Sequence, residues 1–307
     1  MPLSKILCIM GVTGTGKSSL ALELSQKQNI AIINFDSRQV YRELPIITAQ
    51  PNSAERKRCP HYLYGFLPAG KQMDAGMFIS KARETIDAAR QKGLLPVLVG
   101  GTGFYLRSLL YGLAPIPDVE PDVRRQVALQ YAELGSRLMH KRLAGIDPEY
   151  AQKIHFNDKQ RVCRAMEVYL STGKTITSWH ASQTENKYYD ALKIGFCPDE
   201  WTFFKQRLLG RIESMLEMGA VNEVKQVLEQ FGSDAPGLNV IGGAELVSYL
   251  LGRTSLKESK EMWLNNTRAY AKRQITWFKK ESGVIWVDSS DFDSISVDLN
   301  DFLQTEH

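Results

Sequence analysis

The chain has 307 residues, of which 43% are hydrophobic and 23% charged, a composition typical of soluble globular proteins. The net charge of +4 is too small to identify a polyanionic partner, and the four scattered cysteines predict neither a disulfide framework nor a zinc site. No run approaches the roughly 20 apolar residues of a membrane span. We therefore expect a cytoplasmic protein with no membrane partner, and nothing in the sequence demands more than a monomer.

Strands and helices are predicted to alternate in the first third of the chain. Short apolar runs indicate buried strands at 5–10, 30–36 and 94–101. Helical patterns follow them at 17–27, 80–93 and 104–112. This alternation predicts an α/β fold, with a parallel sheet flanked by helices and with ligand-binding loops where the strands end.

A proline-rich linker, Leu113–Pro121, ends this alternation. From there to Gly173 the sequence shows only helical patterning with many arginines and lysines, and a strand is predicted again at Leu192–Phe196. We therefore predict a helical insertion at 114–191 inside an α/β core formed by 1–113 and 192–307.

The last third of the chain is predicted to be mainly helical. The helical pattern runs from Asp199 to Lys280, and a final strand is predicted at 284–287. The acidic tail after Asp288 is expected to be loosely held, as chain ends often are.

A glycine-rich segment follows the first predicted strand. Gly11-Val12-Thr13-Gly14-Thr15-Gly16-Lys17-Ser18 satisfies G-x-x-x-x-G-K-[ST] between a strand and a helix, the context that this motif requires. Its amides and the helix N-terminus are expected to bind phosphate, Lys17 to add positive charge and Ser18 to hold Mg²⁺. The motif predicts a P-loop NTPase-like fold, but it leaves open whether the ligand is a nucleotide such as ATP, and it does not define the reaction.

Polar residues follow the second and third predicted strands. Asp36 ends the second strand, where a carboxylate is suited to binding Mg²⁺, to acting as a general base or to capping a helix. Ser37, Arg38 and Gln39 come next, in a loop that suits either a flat heterocycle or solvent. Thr102 follows the third strand and can donate to a phosphate or cap the next helix. A small-molecule kinase fits these residues as well as another transferase does.

Basic side chains are concentrated in the predicted insertion. Lys159, Arg161 and Arg164 lie on one short helical segment, and Arg124 and Arg125 belong to the same insertion. Proteins commonly use such a concentration of basic side chains to contact the phosphate backbone of a nucleic acid. A solvated basic face is the alternative interpretation.

A second basic stripe is predicted near the end of the chain. Arg268, Lys272 and Lys279 are neighbours on one face of a helix. Tyr270 and Trp277 share a different face and are assigned to the core.

Six segments occur in the order seen in bacterial tRNA dimethylallyltransferases, also called tRNA isopentenyltransferases. They are GVTGTGKS, DSRQVYR, GGTGFYLRSLLYGL, HFNDKQRVCRAMEVYLSTGK, RIESMLEMGAVNEV and RAYAKRQITWFKK. The first is shared with many families, but the set is specific, and the chain resembles this family over about residues 5–290. The resemblance implies transfer of a dimethylallyl group from dimethylallyl diphosphate to the exocyclic amine of the adenine 3′ of the anticodon, in tRNAs that read codons beginning with U.

The resemblance also implies roles for individual residues. The resemblance implies that the glycine-rich loop holds the diphosphate. Lys17, Arg211 and Mg²⁺ are implied to stabilise its growing negative charge as it leaves. Asp36 matches the family's catalytic aspartate, which takes the proton of the amine, and Thr102 matches a threonine near both substrates. The insertion is implied to close on the anticodon stem-loop. The positions that resemble tRNA contacts are Asp36, Ser37, Arg38, Gln39, Thr102, Arg124, Gln160, Arg161, Val162, Cys163 and Arg164.

Two segments depart from the family pattern. The family usually has Gly-Thr-Ala-Lys-Pro where this chain has Ile47–Pro51, so Gln50 replaces a lysine. The family usually has Gly-Tyr-Lys-Glu where this chain has Gly242–Glu245, so Gly243 and Ala244 replace an aromatic residue and a cation. The replacements remove one expected phosphate or substrate contact and one expected tRNA contact.

Three other functions are compatible with parts of this pattern. The first is a transferase of the same fold that prenylates free AMP, ADP or ATP, although a nucleotide needs no large basic insertion. The second is a P-loop kinase, although no arginine-rich lid motif is evident. The third is a non-catalytic RNA-binding protein that uses a nucleotide as a switch.

Overall fold

A computed structural model of the chain describes residues 3–184, 186–198, 200–287 and 292–304. The chain forms two compact units, which we call the core unit, residues 1–110 and 187–307, and the insert unit, residues 111–186. In the described ranges, no helix combines the length and the apolar character that crossing a membrane requires.

Within the described ranges, a six-stranded sheet forms the centre of the core unit. Its strands are β1 Ser4–Gly11, β2 Ile30–Asn34, β3 His61–Tyr62, β4 Leu95–Gly100, β5 Tyr189–Phe196 and β6 Val284–Val287. Their order is β3-β2-β4-β1-β5-β6, and every neighbouring pair is parallel. The predicted α/β fold with a parallel sheet is therefore confirmed.

The helices of the core unit lie before and after the insert unit in sequence. Before it come α1 Lys17–Lys27, α2 Ser53–Arg58, α3 Ala75–Gln91 and α4 Gly103–Tyr111. The insert contributes α5 Pro121–Ile146, α6 Pro148–Lys153, α7 Lys159–Thr172 and α8 Ile176–Ala181. After it come α9 Trp201–Glu217, α10 Ala220–Phe231, a 3₁₀ turn Pro236–Asn239, α11 Gly243–Leu250, α12 Leu256–Phe278 and α13 Phe292–Gln304.

The local sequence explains where α3 begins and which face it buries. The Asp74 side chain accepts a hydrogen bond from the Met77 amide at 2.8 Å and so satisfies one free donor of the first turn. Phe78, Ala82 and Ile86 recur at helical spacing and are buried. Because these residues share one face, α3 packs against β2 and β4.

The insert unit has an apolar core of its own. Met139 and Leu143 of α5 pack there with Val162 and Met166 of α7, and each is at most 4% exposed. The amphipathic spacing that predicts helices in this part of the chain therefore also selects the residues that bury their side chains.

The end of the chain is held more firmly than the sequence predicts. α13 lies beyond Asp288, where we expected a loosely held tail, and Ile295 and Leu299 are each 1% exposed in the cluster that covers the sheet. Lys5 Nζ of β1 donates to the Phe302 carbonyl at 2.6 Å. Over Phe292–Gln304 the expectation is wrong, because apolar residues at i, i+4 spacing form one buried helix face within an acidic segment. The rest of the predicted tail, 289–291 and 305–307, lies outside the described residues.

The strand order brings three loops to one edge of the sheet. β2, β4 and β1 are adjacent and parallel, with Asn34 opposite Val99 and Met10 opposite Gly100. Their carboxyl ends therefore lie side by side. The glycine-rich loop follows β1, Asp36 follows β2 and Thr102 follows β4, so three segments far apart in sequence meet where such sheets bind ligands.

Replacing Leu299 with alanine tests the packing of α13. We expect the free energy of unfolding to fall by about 2–5 kcal/mol, because a buried leucine loses its contacts and leaves a cavity. Urea denaturation measures the change. Val297→Ala, on the same helix but 59% exposed, is the control and should change the stability by less than about 0.5 kcal/mol. Equally small effects of both substitutions would contradict the packing.

Candidate active site

A cavity of about 360 Å³ lies in the core unit where the three loops meet. The wall includes Lys17 and Ser18 of the glycine-rich loop, Asp36 after β2 and Gly100 at the end of β4. α9 contributes Arg211, and α12 contributes further residues. A concave site at the carboxyl edge of a parallel sheet, with convergent charged groups, is the expected place for a ligand.

Two side chains of the glycine-rich loop donate hydrogen bonds to the same backbone carbonyl. Lys17 Nζ donates to the Val12 carbonyl at 2.6 Å, and Thr15 Oγ1 donates to the same oxygen at 2.8 Å. Gly16 has a φ of 95°, a left-handed conformation that favours glycine, and α1 starts at the next residue. The free amides at the start of α1 therefore belong to the loop, as a phosphate site requires.

Lys17, Arg211 and Asp36 influence one another's charge inside the cavity. Burial lowers the pKa of the Lys17 amine to about 8, with Arg211 adding to this effect and Asp36 opposing it. Burial also lowers the pKa of Arg211, and Asp36 again favours the charged form. With Arg38 and Glu55 included, the cavity wall carries three cations and two carboxylates. This excess of positive charge suits a ligand with more than one negative charge.

Asp36 lies in a turn and does not cap a helix. Its Oδ1 accepts a hydrogen bond from the Arg38 amide at 2.9 Å, as in an Asx turn, and its own amide donates to Asn34 Oδ1 at 2.8 Å. A Cβ atom added to Gly101 would lie 3.3 Å from Asp36 Oδ2, so the second oxygen faces the turn after β4. The helix-cap interpretation of Asp36 is therefore wrong, and the other two remain.

Thr102 and Gln39 connect the loops around the cavity. Thr102 Oγ1 accepts from the Ser37 amide at 2.9 Å and donates to Ser37 Oγ at 3.2 Å, so it bridges the turns after β4 and β2. Gln39 Nε2 donates to the carbonyls of Thr48 and Ala49, at 3.1 and 2.7 Å. Arg38 and Gln39 line the cavity, and Ser37 stands between Asp36 and Arg38 in the same turn.

Sequence reasoning missed one stripe of α12. Trp263, Thr267 and Tyr270 line the cavity, and Gln274 continues the same face at spacings of four, three and four. Tyr270, assigned to the core from the sequence, faces the site. Burial and the negative charge of Asp36 raise the pKa of its phenol, so the hydroxyl keeps its proton. The signal in the sequence was that the polar residues Thr267 and Gln274 occupy positions whose helical spacing predicts burial.

Gln274 joins the glycine-rich loop to the turn after β4. Its Nε2 donates to the Gly101 carbonyl at 2.8 Å, and its Oε1 accepts from the Thr13 amide at 3.3 Å. The side chain is 4% exposed. A Cβ atom on Gly101 would lie 2.1 Å from Gln274 Nε2, so only glycine permits this approach. Gln274 therefore sets the separation between the loop and the turn that carries Thr102.

The residues predicted in the insert unit fall into two groups. Arg124, Gln160 and Arg161 are exposed, and Arg164 is half-buried. Val162 and Cys163 lie in the apolar core of the insert, at 0% and 9% exposure. Their role as RNA contacts stays a prediction, and it falls to their backbone atoms because their side chains are not on the surface.

The two departures from the family pattern have structural consequences. Gln50 Nε2 donates to the Tyr41 carbonyl at 2.7 Å, so this side chain holds its own loop at the cavity wall. A Cβ atom on Gly243 would lie 2.8 Å from the Leu238 carbonyl oxygen. The backbone at Gly243 therefore has no room for the aromatic side chain that the resemblance leads one to expect.

Ser18 is the residue of the site best suited to a metal ion. Its hydroxyl is exposed at the second position of α1, and hydroxyl oxygen is a hard donor of the kind that Mg²⁺ prefers. In the described part of the chain, no group of three or more His, Cys, Asp or Glu side chains is arranged to hold a metal. An ion here would therefore share its coordination with oxygens of the bound ligand.

The parallel sheet and the loop between β1 and α1 define a P-loop α/β protein. Residues 39–281 match the sequence model of the family described as IPP transferase, and residues 4–64 match that described as isopentenyl transferase. A curated relative from Maridesulfovibrio salexigens, named tRNA dimethylallyltransferase, is 46% identical over 291 residues, which cover 94% of each chain. The chain therefore belongs to the IPP transferase family.

Solved structures of similar proteins agree with this membership. The crystal structure of a tRNA isopentenylpyrophosphate transferase from Staphylococcus epidermidis matches with a TM-score of 0.70 and 35% identity, covering 97% of this chain and 99% of that one. A eukaryotic dimethylallyltransferase acting on tRNA matches with a TM-score of 0.81 and 30% identity, covering 98% of this chain and 79% of that one.

Replacing Gln274 with leucine tests its role in holding the glycine-rich loop. The substitution removes the acceptor of the Thr13 amide, so we expect that amide to exchange with solvent about tenfold faster or more, as for the loss of a hydrogen bond worth about 1–2 kcal/mol. Hydrogen–deuterium exchange of the segment that contains Thr13 is the measurement. Gln274→Glu keeps an acceptor and is the matched control. Unchanged exchange in the leucine variant would contradict the role.

Proposed function

We propose that this protein transfers a dimethylallyl group from dimethylallyl diphosphate to the exocyclic amine of the adenine 3′ of the anticodon, in tRNAs that read codons beginning with U. Diphosphate is released. The observation that carries the proposal is that a cationic P-loop and a carboxylate, Asp36, line one cavity in a member of the IPP transferase family. The names of the relatives support the reaction class.

The donor's diphosphate is proposed to bind at the glycine-rich loop. The amides at the start of α1, Lys17 and Arg211 supply positive charge there. As the bond between C1 and oxygen breaks, its electron pair stays with the diphosphate, whose charge grows. Preorganised donors act most strongly on charge that develops in the transition state, and each one accounts for about 10²–10³ in rate.

The hydrocarbon part of the donor is proposed to lie against the apolar wall of the cavity. Leu208, Ile212 and Met215 of α9 line it, together with Val240 and Ile241. A phosphoryl acceptor or a nucleotide base needs polar partners, so this wall favours an isoprenoid over the substrates of a kinase. It also keeps water away from an allylic carbon that carries positive charge.

Asp36 is proposed to take the proton of the adenine amine. The amine's lone pair forms the new bond to C1, the N–H proton becomes acidic, and the carboxylate accepts it. Thr102 and Tyr270 lie beside Asp36 and are proposed to orient the base. Placing an adenine in the cavity requires it to leave its stack, which costs a few kcal/mol and is least costly in a loop.

Mg²⁺ is the proposed cofactor, with the Ser18 hydroxyl as its protein ligand. The ion would add positive charge at the diphosphate, where Lys17 and Arg211 act as well.

The insert unit is proposed to bind the anticodon stem-loop. Exposed Arg124, Gln160 and Arg161, with half-buried Arg164, can reach phosphate oxygens and base edges. A set of exposed arginines binds RNA through charge, so its contribution weakens as salt increases. A transferase that prenylates free AMP would not need it.

Asp36→Asn tests the proposed reaction. We expect the wild-type protein with Mg²⁺ and dimethylallyl diphosphate to prenylate an anticodon stem-loop RNA, and the variant to do so about 10²–10⁴-fold more slowly, because the base is lost. Mass spectrometry of the RNA measures both rates. Asp74→Asn is the control, since asparagine also caps a helix. No prenylated RNA with the wild-type protein would contradict the function, and an unaffected Asp36 variant would contradict the base.

The pH dependence of donor binding tests Lys17. Its pKa of about 8 means that the free protein loses the ammonium charge as the pH rises through 8. Because the diphosphate favours the charged form, we expect the Kd of dimethylallyl diphosphate, measured without RNA, to rise above pH 8 by up to about tenfold per pH unit. Titration calorimetry between pH 7 and pH 10 measures it. Lys17→Arg keeps its charge over this range and should show a flat profile, so parallel profiles would contradict the assignment.

A further inference from the structure

The cavity has a polar end and an apolar end along α12. Gln274 and Tyr270 lie near the glycine-rich loop, Asp36 and Thr102. Trp263 lies on the same stripe, seven residues before Tyr270, which corresponds to about 10 Å along the helix axis. Along α12, the residues that line the cavity therefore run from Tyr270, near the polar groups, to Trp263.

Trp263 is a buried part of this wall. The side chain is 3% exposed although it lines the cavity. Its indole packs on the backbone of Gly242, where an added Cβ atom would lie 2.5 Å from the ring. Gly242 also has a φ of 94°, a conformation that other residues rarely adopt. The indole is thus seated in space that only a glycine at this position leaves free.

The backbone behind the indole is held in place. The Gly242 amide donates to Glu245 Oε2 at 2.7 Å, and Asn266 Nδ2 of α12 donates to Glu245 Oε1 at 2.6 Å. Glu245 is 3% exposed, so both bonds are shielded from water. A buried carboxylate therefore ties the turn before α11 to the helix that carries Trp263, and the wall resists displacement by a longer ligand.

We infer that Trp263 limits the length of the prenyl chain, so that a five-carbon donor fits and a ten-carbon donor does not. The inference rests on the proposed function, because the diphosphate must lie at the glycine-rich loop. The indole has more non-hydrogen atoms than an isoprene unit, so its removal creates space for one more unit. The bonds made and broken at C1 are the same for both donors.

A graded series at Trp263 tests the inference. Wild-type protein, Trp263→Phe, Trp263→Leu and Trp263→Ala are each incubated with Mg²⁺, an anticodon stem-loop RNA and either dimethylallyl or geranyl diphosphate. We expect the kcat/KM ratio of the geranyl to the dimethylallyl donor to rise as the side chain shrinks, by about tenfold or more in the alanine variant. Circular dichroism selects the folded variants, and Trp263→Phe keeps the test available if the smallest side chains unfold the protein.

Trp277 supplies a matched control. It lies on the same helix and also packs against a glycine, with its ring 2.4 Å from a Cβ atom added to Gly103, but it is not part of the cavity wall. Trp277→Leu should leave the donor ratio as in the wild type. An equal rise in this variant would overturn the inference, because the effect would then come from loosening α12.

The outcomes separate this inference from the proposed function. Wild-type protein that transfers only the dimethylallyl group, together with folded Trp263 variants that gain geranyl transfer, supports the inference. Wild-type protein that accepts both donors equally, or folded Trp263 variants that gain nothing, overturns the inference and leaves the proposed function intact. Wild-type protein that transfers neither group overturns the proposed function, and the inference with it.

Discussion

The parallel pairing of β2, β4 and β1 is the constraint on which the rest of the site depends. Because these strands are adjacent and point the same way, the glycine-rich loop, the turn at Asp36 and the turn at Thr102 emerge at one edge. Hydrogen bonds then join the loops to one another and to α12, through Thr102 and Gln274. A cavity built on strand ends keeps its geometry because the sheet beneath it is rigid.

The cavity holds an excess of positive charge that burial makes unfavourable. Burial weakens the protonated form of Lys17 and of Arg211, while Asp36 restores part of it. A ligand with several negative charges therefore stabilises the protonated forms of Lys17 and Arg211, which burial disfavours. The same carboxylate that steadies these cations is the group proposed to accept a proton, so binding and chemistry are electrostatically coupled.

Local signals explain which parts of the fold and site the sequence predicts. The glycine-rich loop and five of the six described strands depend on neighbouring residues and were predicted, whereas the two-residue strand β3 was not. Gln274 acts through partners 173 and 261 residues away, at Gly101 and Thr13, so no local pattern identifies those partners. Tyr270 was assigned to the core because a buried helix face has the same residue spacing whether it packs in a core or lines a cavity. The acidic residues of α13 led to the expectation of a loose tail, although Ile295 and Leu299 form a buried face.

The insertion of one unit within another affects how the chain can fold during synthesis. β1 pairs with β4 on one side and with β5 on the other, and β5 lies beyond the insert in sequence. On the ribosome, one edge of the central strand stays unpaired until the whole insert has been translated. An unpaired strand edge promotes aggregation. The insert has an apolar core of its own and can therefore fold before β5 has been translated. Chains truncated before Tyr189 would therefore carry an open edge at β1.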